Sequence, residues 1–471
     1  MTTNSPGPES ARDATLRRVI RLPHATSLVV GTIIGASIFV QPSEITGRVP
    51  SLAGVSLVWL VAGVLTLFGA LVTAELASAM PRSGGVYVFL RETISPLAGF
   101  LWGWAMFFTM HSGIIAAIAV IFARYLGYFV PLGPLATRLA AVAAIVVVSA
   151  VNYLGARPGS RLQTGLTVIK VAAIVLIVAV GFALGPREAL AAPEAVTLLG
   201  GGSWGDFAAA LVAALFAFGG WHMVTYNAEE TVEPERTIPR ALLLGTLTVT
   251  AAYVALNAVY FHVLPLAKVV ASDRVAADAA DAVLGSGGGA FLSALVVTST
   301  LGALAGIVLA GPRVYFAMAR DGLVFRRMAA THPVFRTPHV AIVLQGVWAS
   351  VLVLTGSYRV LFTRVVYTEW LFFGLMAVGL FVLRRRTAPS GGIGGEHTAP
   401  SGGIGGEHTG VERRYSVWGY PVVPAVFAAA AFAITVNQVV AEPWESATGL
   451  GLVLSGVPVY WIVTRRARMA A

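Results

Sequence analysis

Two apolar stretches carry glycines at a density that works against an unbroken helix. The first is GTIIGASIF, Gly31 to Phe39, and the second is FAFGGWH, Phe216 to His222. Glycine lowers helix stability and frees backbone groups. In hydrocarbon, freed groups are tolerated only where they are buried in protein or line a water-filled cavity. Freed N–H groups at the start of a half-helix can hold a carboxylate. Freed carbonyls can accept hydrogen bonds from an ammonium. Together the two stretches would receive a zwitterion with no charged side chain. Gly31 and Gly35 also have the GxxxG spacing of close helix packing, so it is the pair of stretches that points to binding.

Lys170 is the third chemical feature. It lies in LTVIKVAAIVL, and the chain's other lysine is Lys268. About nine residues into an apolar run, at 1.5 Å per residue, its ammonium sits roughly 13 Å deep, near a bilayer midplane. A charge at that depth is expensive and marks function; snorkelling to the nearer face is the alternative. His111 and His222 are candidate proton relays or, as the plainer expectation, hydrogen-bonding groups between helices. Glu75 is expected to pair with a loop arginine. Glu229 and Glu230 stand near Arg236 and Arg240 in sequence and read as a cytoplasmic gate or a structural salt bridge.

The elements that hold these residues are apolar and long. Of 471 residues, 57% are hydrophobic and 11% charged, against about 25% charged in a soluble domain. The first apolar run extends from Pro23 to Gly47, too long for a signal-peptide core. Others follow at Leu52–Ser78, Pro96–Phe129, Leu135–Tyr153, Arg161–Leu184, Phe207–Glu229, Ile238–Val263, Gly289–Ala319, Pro338–Gly356, Val360–Leu383, Tyr420–Val440 and Ser446–Val463. A bilayer core about 30 Å thick needs about 20 helical residues, so the expectation is an all-α polytopic membrane protein with twelve transmembrane helices.

The net charge of +10 is arranged for a membrane and not for nucleic acid. Arginines crowd alternate loops: Arg12, Arg17, Arg18 and Arg21; Arg82 and Arg91; Arg157 and Arg161; Arg236 and Arg240; Arg313 to Arg336; Arg384 to Arg386 with Arg413 and Arg414; and Arg465 to Arg468. The other loops hold only Arg48, Arg187, Lys268, Arg274 and Arg359. By the positive-inside rule both termini are cytoplasmic and the chain is multi-pass in the cell membrane.

With no cysteine there is no disulfide-linked subunit and no thiol-bound metal. The eight histidines and 22 acids show no zinc spacing, no phosphate-binding loop appears, and no nucleophile–base set is present. No metal, cofactor or catalytic residue is therefore expected, and the chain does not read as an enzyme. The segment TAPSGGIGGEH, Thr387 to His397, is repeated without change from Thr398 to His408. It reads as a flexible linker made by tandem duplication.

Four stretches resemble the amino acid–polyamine–organocation superfamily, in particular its L-type amino-acid transporter branch. They are GTIIGASIFVQP (Gly31 to Pro42), AELASAMPRSGGVYVFLRE (Ala74 to Glu92), FAFGGWHMVTYNAEE (Phe216 to Glu230) and RVYFAMARDG (Arg313 to Gly322), in family order. The resemblance implies a five-plus-five inverted repeat with helices 1 and 6 broken. The parts would be a tail (1–22), a transport core (23–384, repeats about 23–184 and 205–384), a flexible loop (385–418), helices 11 and 12 (419–464) and a second tail (465–471). It implies that Gly35, Ala36 and Ser37 offer N–H groups to a substrate carboxylate. Phe216, Ala217 and Gly219 would offer carbonyls to its amine, with Phe218 in the same stretch and Phe216 as an aromatic lid. Ser37 stands where the family often has glycine, His222 where it often has asparagine, and Val86, read as a loop residue, where it often has an acid.

In sodium-coupled relatives an ion sits between helices 1, 5 and 8. The resemblance places Lys170 there, with Ser299 and Thr300 as candidate oxygen partners. The expected function is a sodium-independent amino-acid permease, by proton symport or exchange. A polyamine or other amine transporter and a non-transporting amino-acid sensor are the alternatives. The partners expected are an amino acid, protons and membrane lipid.

Overall fold

In the computed structural model the described residues are 16–35, 37–185, 198–272, 275–356, 358–387 and 415–469. Ala36, Arg187 and the repeat from 388 to 408 lie outside them.

The chain is helical throughout the described residues. In order the elements are α1 (Leu22–Ile33), α2 (Ser37–Arg48), α3 (Leu52–Ala79), α4 (Val86–Thr93), α5 (Pro96–Ala105), α6 (His111–Leu126), α7 (Pro134–Tyr153), α8 (Ala156–Leu184) and α9 (Trp204–Ala217). A 3-10 segment, Trp221–Glu230, follows α9. Then come α10 (Pro234–Val263), α11 (Leu266–Ala271), α12 (Val275–Leu284), α13 (Gly288–Ala310) and α14 (Pro312–Arg320). The last are α15 (His339–Thr355), α16 (Tyr358–Arg386), α17 (Val422–Ala441), α18 (Pro443–Leu454) and α19 (Gly456–Met469). A π-helical turn, Met106–Met110, joins α5 to α6. Among the described residues, ten helices are long and apolar enough to cross a membrane, and α1 and α15 are shorter apolar helices. The chain is a multi-pass membrane protein.

Local chemistry sets the starts. Ser51 accepts a hydrogen bond from the Gly54 N–H at 2.9 Å, and Ser95 accepts one from Ala98 at 3.1 Å. Ser203 and Asp206 cap α9 reciprocally. Proline opens α5, α7, α10 and α18, where its missing N–H costs nothing.

Burial sorts centre from perimeter. The span Gly288–Arg320 is 78% buried over its most apolar window, whereas α7 and α8 are 22% buried. The exposed face of α8 is Val168, Ile169, Val175 and Leu176, a surface suited to lipid. Its other face turns Gln163, Thr167 and Lys170 inward, against α1 and α13.

Two expectations are corrected. Val86 is the fully buried first residue of α4, not a loop residue. The stretch from 264 to 288, read as a loop, contains α11 and α12.

Four ion pairs lie where the long helices end. Glu230 is bound twice by Arg313, at 2.8 and 2.9 Å, with both side chains fully buried. Glu229 pairs with Arg320 at 2.9 Å, so neither acid takes Arg236 or Arg240, its neighbours in sequence. Glu75 pairs at 2.6 Å with Arg384, an arginine of the expected loop that here belongs to the last turn of α16. Asp321 receives Arg91 and the Tyr87 hydroxyl; burial, reinforced by Asp321, pushes the Tyr87 hydroxyl well up from its ordinary range.

Removing one member of a buried pair strands the other charge, at about 3–5 kcal/mol. Arg313→Ala is therefore expected to lower the thermal midpoint in detergent sharply. Arg320→Ala, whose arginine is 54% exposed, should barely move it. Equal midpoints for the two variants would refute this ranking.

Candidate functional site

The two glycine-bearing stretches meet. α1 ends at Ile33 and α2 begins at Ser37, with Ile34 and Gly35 outside either helix. α9 ends at Ala217, and the backbone turns through Gly219 and Gly220 into the 3-10 segment. Gly220 has φ of +99°, and an added Cβ would stand 3.2 Å from Thr32. Only glycine adopts that backbone cheaply in so tight a place.

Two side chains fasten the meeting point, and neither was foreseen from the sequence. The Tyr253 hydroxyl of α10 lies 3.1 Å from the Ile33 carbonyl and 2.9 Å from the Ala217 carbonyl. It thus touches the last turn of α1 and the last turn of α9 at once. The Thr32 hydroxyl lies 2.7 Å from its own helix at Leu28 and 3.1 Å from the Gly220 carbonyl. Helix ends leave carbonyls without intrahelical partners, and these hydroxyls meet part of that demand. Nothing in AAYVALNAVYF sets Tyr253 apart from Tyr260, because the distinction lies in which one faces the turns.

Lys170 meets the rest. Its ammonium is fully buried. It donates to the carbonyls of Gly31 at 3.0 Å, Ile34 at 2.6 Å and Ser299 at 3.0 Å. An ammonium has three N–H donors, and all three are used. It does not snorkel. Two of the acceptors belong to the C-terminal turn of α1, where the helix dipole is negative. Each charge-assisted bond contributes about 1.5–3 kcal/mol, together comparable to the several kcal/mol of desolvating the ion.

The oxygen partners differ from the expected ones. Ser299 meets the ammonium through its backbone carbonyl, and its hydroxyl lies 3.2 Å from the Gly35 carbonyl and 3.4 Å from that of Ile34. The Thr300 hydroxyl bonds back to Val296 and Val297 in its own helix. Lys170 and Ser299 are brought together with α1, and Thr300 is not.

The residues assigned to substrate are placed as follows. The Gly35 N–H donates to the Ile33 carbonyl at 2.8 Å. Ser37 is the half-buried first residue of α2, so its N–H and the next ones form the positive end of a helix. The Phe216 carbonyl accepts from the Gly219 N–H at 2.9 Å, and that of Ala217 accepts from Tyr253. Phe216 and Gly219 are half-buried. Phe218 is buried, its ring 5.0 Å from that of Tyr253 and 6.3 Å from that of Trp59. The start of α2 and the end of α9 thus lie beside each other, and the Lys170 ammonium is held at the end of α1.

The two histidines depart from expectation. His111 and His222 are fully buried, and no ring nitrogen of either has a hydrogen-bond partner among the described residues. They pack against aromatic rings instead.

A family model described as amino acid permease matches residues 20–463. The serine/threonine exchanger SteT of Bacillus subtilis is 30% identical over 458 residues, covering 96% of this chain and 98% of that protein. The human b(0,+)-type amino acid transporter 1 is 29% identical over 384 residues, 80% of this chain and 78% of its own. The human cystine/glutamate transporter is 27% identical over 469 residues, 97% and 87% respectively. The match runs through both glycine-bearing turns, Lys170 and Ser299, so the chain belongs to the amino acid permease family, within the amino acid–polyamine–organocation superfamily.

Proposed function

We propose that the protein is a secondary transporter that moves amino acids across the cell membrane by alternating access, without sodium. The observation that carries this reading is the Lys170 ammonium on carbonyls of Gly31, Ile34 and Ser299. Those carbonyls form an oxygen cage for a hard cation, and the lysine fills it with a covalently attached one. A second cation in the same cage would be repelled. Transport then draws on a proton gradient or on exchange. The relative from Bacillus subtilis is a serine/threonine exchanger, which supports exchange.

The substrate sits between the helix start at Ser37 and the carbonyl ends of α1 and α9. The resemblance assigns its carboxylate to Gly35, Ala36 and Ser37, of which the Gly35 N–H is engaged by the Ile33 carbonyl and the start of α2 at Ser37 is the part that would receive it, and its amine to Phe216, Ala217 and Gly219. α1 with α2, and α9 with the 3-10 segment, are then the two halves of broken spans. Counting them so gives twelve spans, the first ten in two inverted sets of five, as expected for a transporter site built from repeats. A polyamine would need an acid for its second ammonium, and Gly31 to Phe39 and Phe216 to His222 contain none. The named relatives are transporters or exchangers of amino acids, which supports transport over sensing and over catalysis.

The ion pairs of Glu229 and Glu230 form the inner gate, with both termini cytoplasmic. The segment ahead of α1 is joined to it: the Val19 and Ile20 N–H groups donate to the Glu230 carbonyl at 2.8 and 2.9 Å.

Uptake of twenty labelled amino acids into proteoliposomes, with and without a pH gradient, tests the reading. Accumulation of at least one of them is expected, and none at all would refute it. Orientation is tested by single cysteines in this cysteine-free chain. Arg157→Cys and Arg326→Cys should be protected from an impermeant reagent in intact cells, and Lys268→Cys labelled. All three side chains are exposed, so labelling at 157 from outside would contradict the topology.

A further inference from the structure

Away from Lys170, on the far side of the 3-10 segment, lies a second group of polar side chains that the transport reading leaves unused. His111 follows the π-helical turn, His222 and Tyr226 lie on the 3-10 segment, Tyr315 on α14, Gln345 on α15 and Glu369 on α16. All are buried; Glu369, the carboxylate, is 5% exposed. They are neighbours. The Tyr226 ring stands 5.8 Å from that of His111 and 5.5 Å from that of His222. Gln345 Oε1 and His111 Nδ1 would lie 2.2 and 2.4 Å from a Cβ added at Gly311, so that glycine opens the space between them. Phe373, one turn on from Glu369 along α16, has its ring 4.7 Å from that of His222, and the Tyr315 ring stands 5.2 Å from that of Phe107 in the π-helical turn.

These groups have unmet hydrogen-bonding capacity. Both ring nitrogens of each histidine, both Gln345 amide atoms and Glu369 Oε1 have no hydrogen-bond partner among the described residues. Two other buried acids are already engaged: Glu230 by Arg313, Glu75 by Arg384. A cluster of this size inside a hydrocarbon-facing bundle is costly unless something polar completes it.

We propose that His111, His222 and Glu369, grouped around the Tyr226 ring, form a buried proton-binding site coupled to the transport cycle. The inference rests on the transport reading above and names its coupling ion. The charge count drives it. An ionised Glu369 with two neutral imidazoles leaves a net negative charge in a low-dielectric space. One added proton, on the carboxyl or on an imidazole, makes the cluster neutral as a whole. The closed site therefore holds that proton, and access to water lets it leave. The 3-10 segment supplies both His222 and the glycine turn at Gly220. Movement that opens the substrate site thus also moves one member of the proton site. The transfer is between the site and water, with no bond formed or broken other than to hydrogen.

The test is proton movement measured with a pH indicator as substrate enters proteoliposomes, together with the pH profile of the rate. In the wild-type protein, protons should accompany substrate, and the rate should change about tenfold between about pH 5 and 8, where imidazoles titrate. Glu369→Gln should abolish the proton movement and flatten the profile while amino-acid counterflow stays measurable. Gly311→Ala removes no titratable group but crowds the space between His111 and Gln345, and should shift the profile. A wild-type protein that moves substrate with no proton and no pH dependence would overturn the proposal. So would a Glu369→Gln variant with the wild-type proton-to-substrate ratio. If that variant does not fold, an unshifted profile in Gly311→Ala overturns it. Failure to move any amino acid would instead overturn the transport reading itself.

Discussion

Lys170→Ala is expected to cut net uptake by about 10–100-fold while substrate still binds, which follows if the lost anchor favours one state of the cycle by about 1.4–2.8 kcal/mol. The ammonium joins three separate elements, α8 through its own backbone, α1 through Gly31 and Ile34, and α13 through Ser299. Taking it away frees carbonyls of the α1 end in a buried place, where each unmet acceptor costs about 1–3 kcal/mol. Water or a cation can then enter the cage. In the proposed site the substrate's donors and acceptors are backbone groups elsewhere on the two turns, so binding should survive. The check is paired: ligand-induced thermal stabilisation for binding and proteoliposome uptake for transport. Normal uptake in Lys170→Ala would remove the lysine from the mechanism. Recovery of the variant by sodium would strengthen the cage argument, because the ion would be replacing the charge that was deleted.

The other large effect is expected at Gly219. An added Cβ there meets only the Phe216 carbonyl, at 3.1 Å, and the residue is half-buried. The Phe216 carbonyl must give by a few tenths of an ångström to admit a side chain, but no positive φ opposes one, and a leucine would extend from the turn toward the proposed substrate. Overfilling a packed site costs about 1–3 kcal/mol or more, so affinity should fall by roughly 10–100-fold, with the thermal midpoint unchanged. Gly220→Ala makes the contrast, because its φ of +99° and the nearness of Thr32 predict damage to the turn and to folding. Unchanged affinity in a folded Gly219→Leu protein would place the substrate elsewhere.

The sequence shows the spans clearly, because an apolar run in a bilayer has few ways to fold. It also shows the two turns, because Gly31, Gly35, Gly219 and Gly220 disturb helices that are otherwise strong. Lys170 stood out because a lysine within an apolar run has no ordinary explanation. What remained hidden depends on rotation and distance. Tyr253 is one tyrosine among several on an apolar helix until the fold turns it toward Ile33 and Ala217. Glu230 pairs with Arg313, 83 positions away, and not with the arginines beside it in sequence. Partners of that kind are fixed by which helices pack together. For His111 and His222 the sequence leaves proton relay and hydrogen bonding between helices both open, and only their ring neighbours and their nitrogens, unpartnered among the described residues, show that the second does not hold. Glu369 drew no notice, since a single acid in the sequence does not reveal which way its helix faces.

The proposed transport cycle moves amino acids with a lysine where other carriers would hold sodium. Its most direct test is counterflow of a labelled amino acid in proteoliposomes, with the same protein in sodium on both sides and in choline on both sides. The account predicts equal rates in the two buffers. It also predicts competition by unlabelled amino acids and none by an amine that lacks a carboxylate. A rate that rises with sodium and vanishes in choline would contradict it.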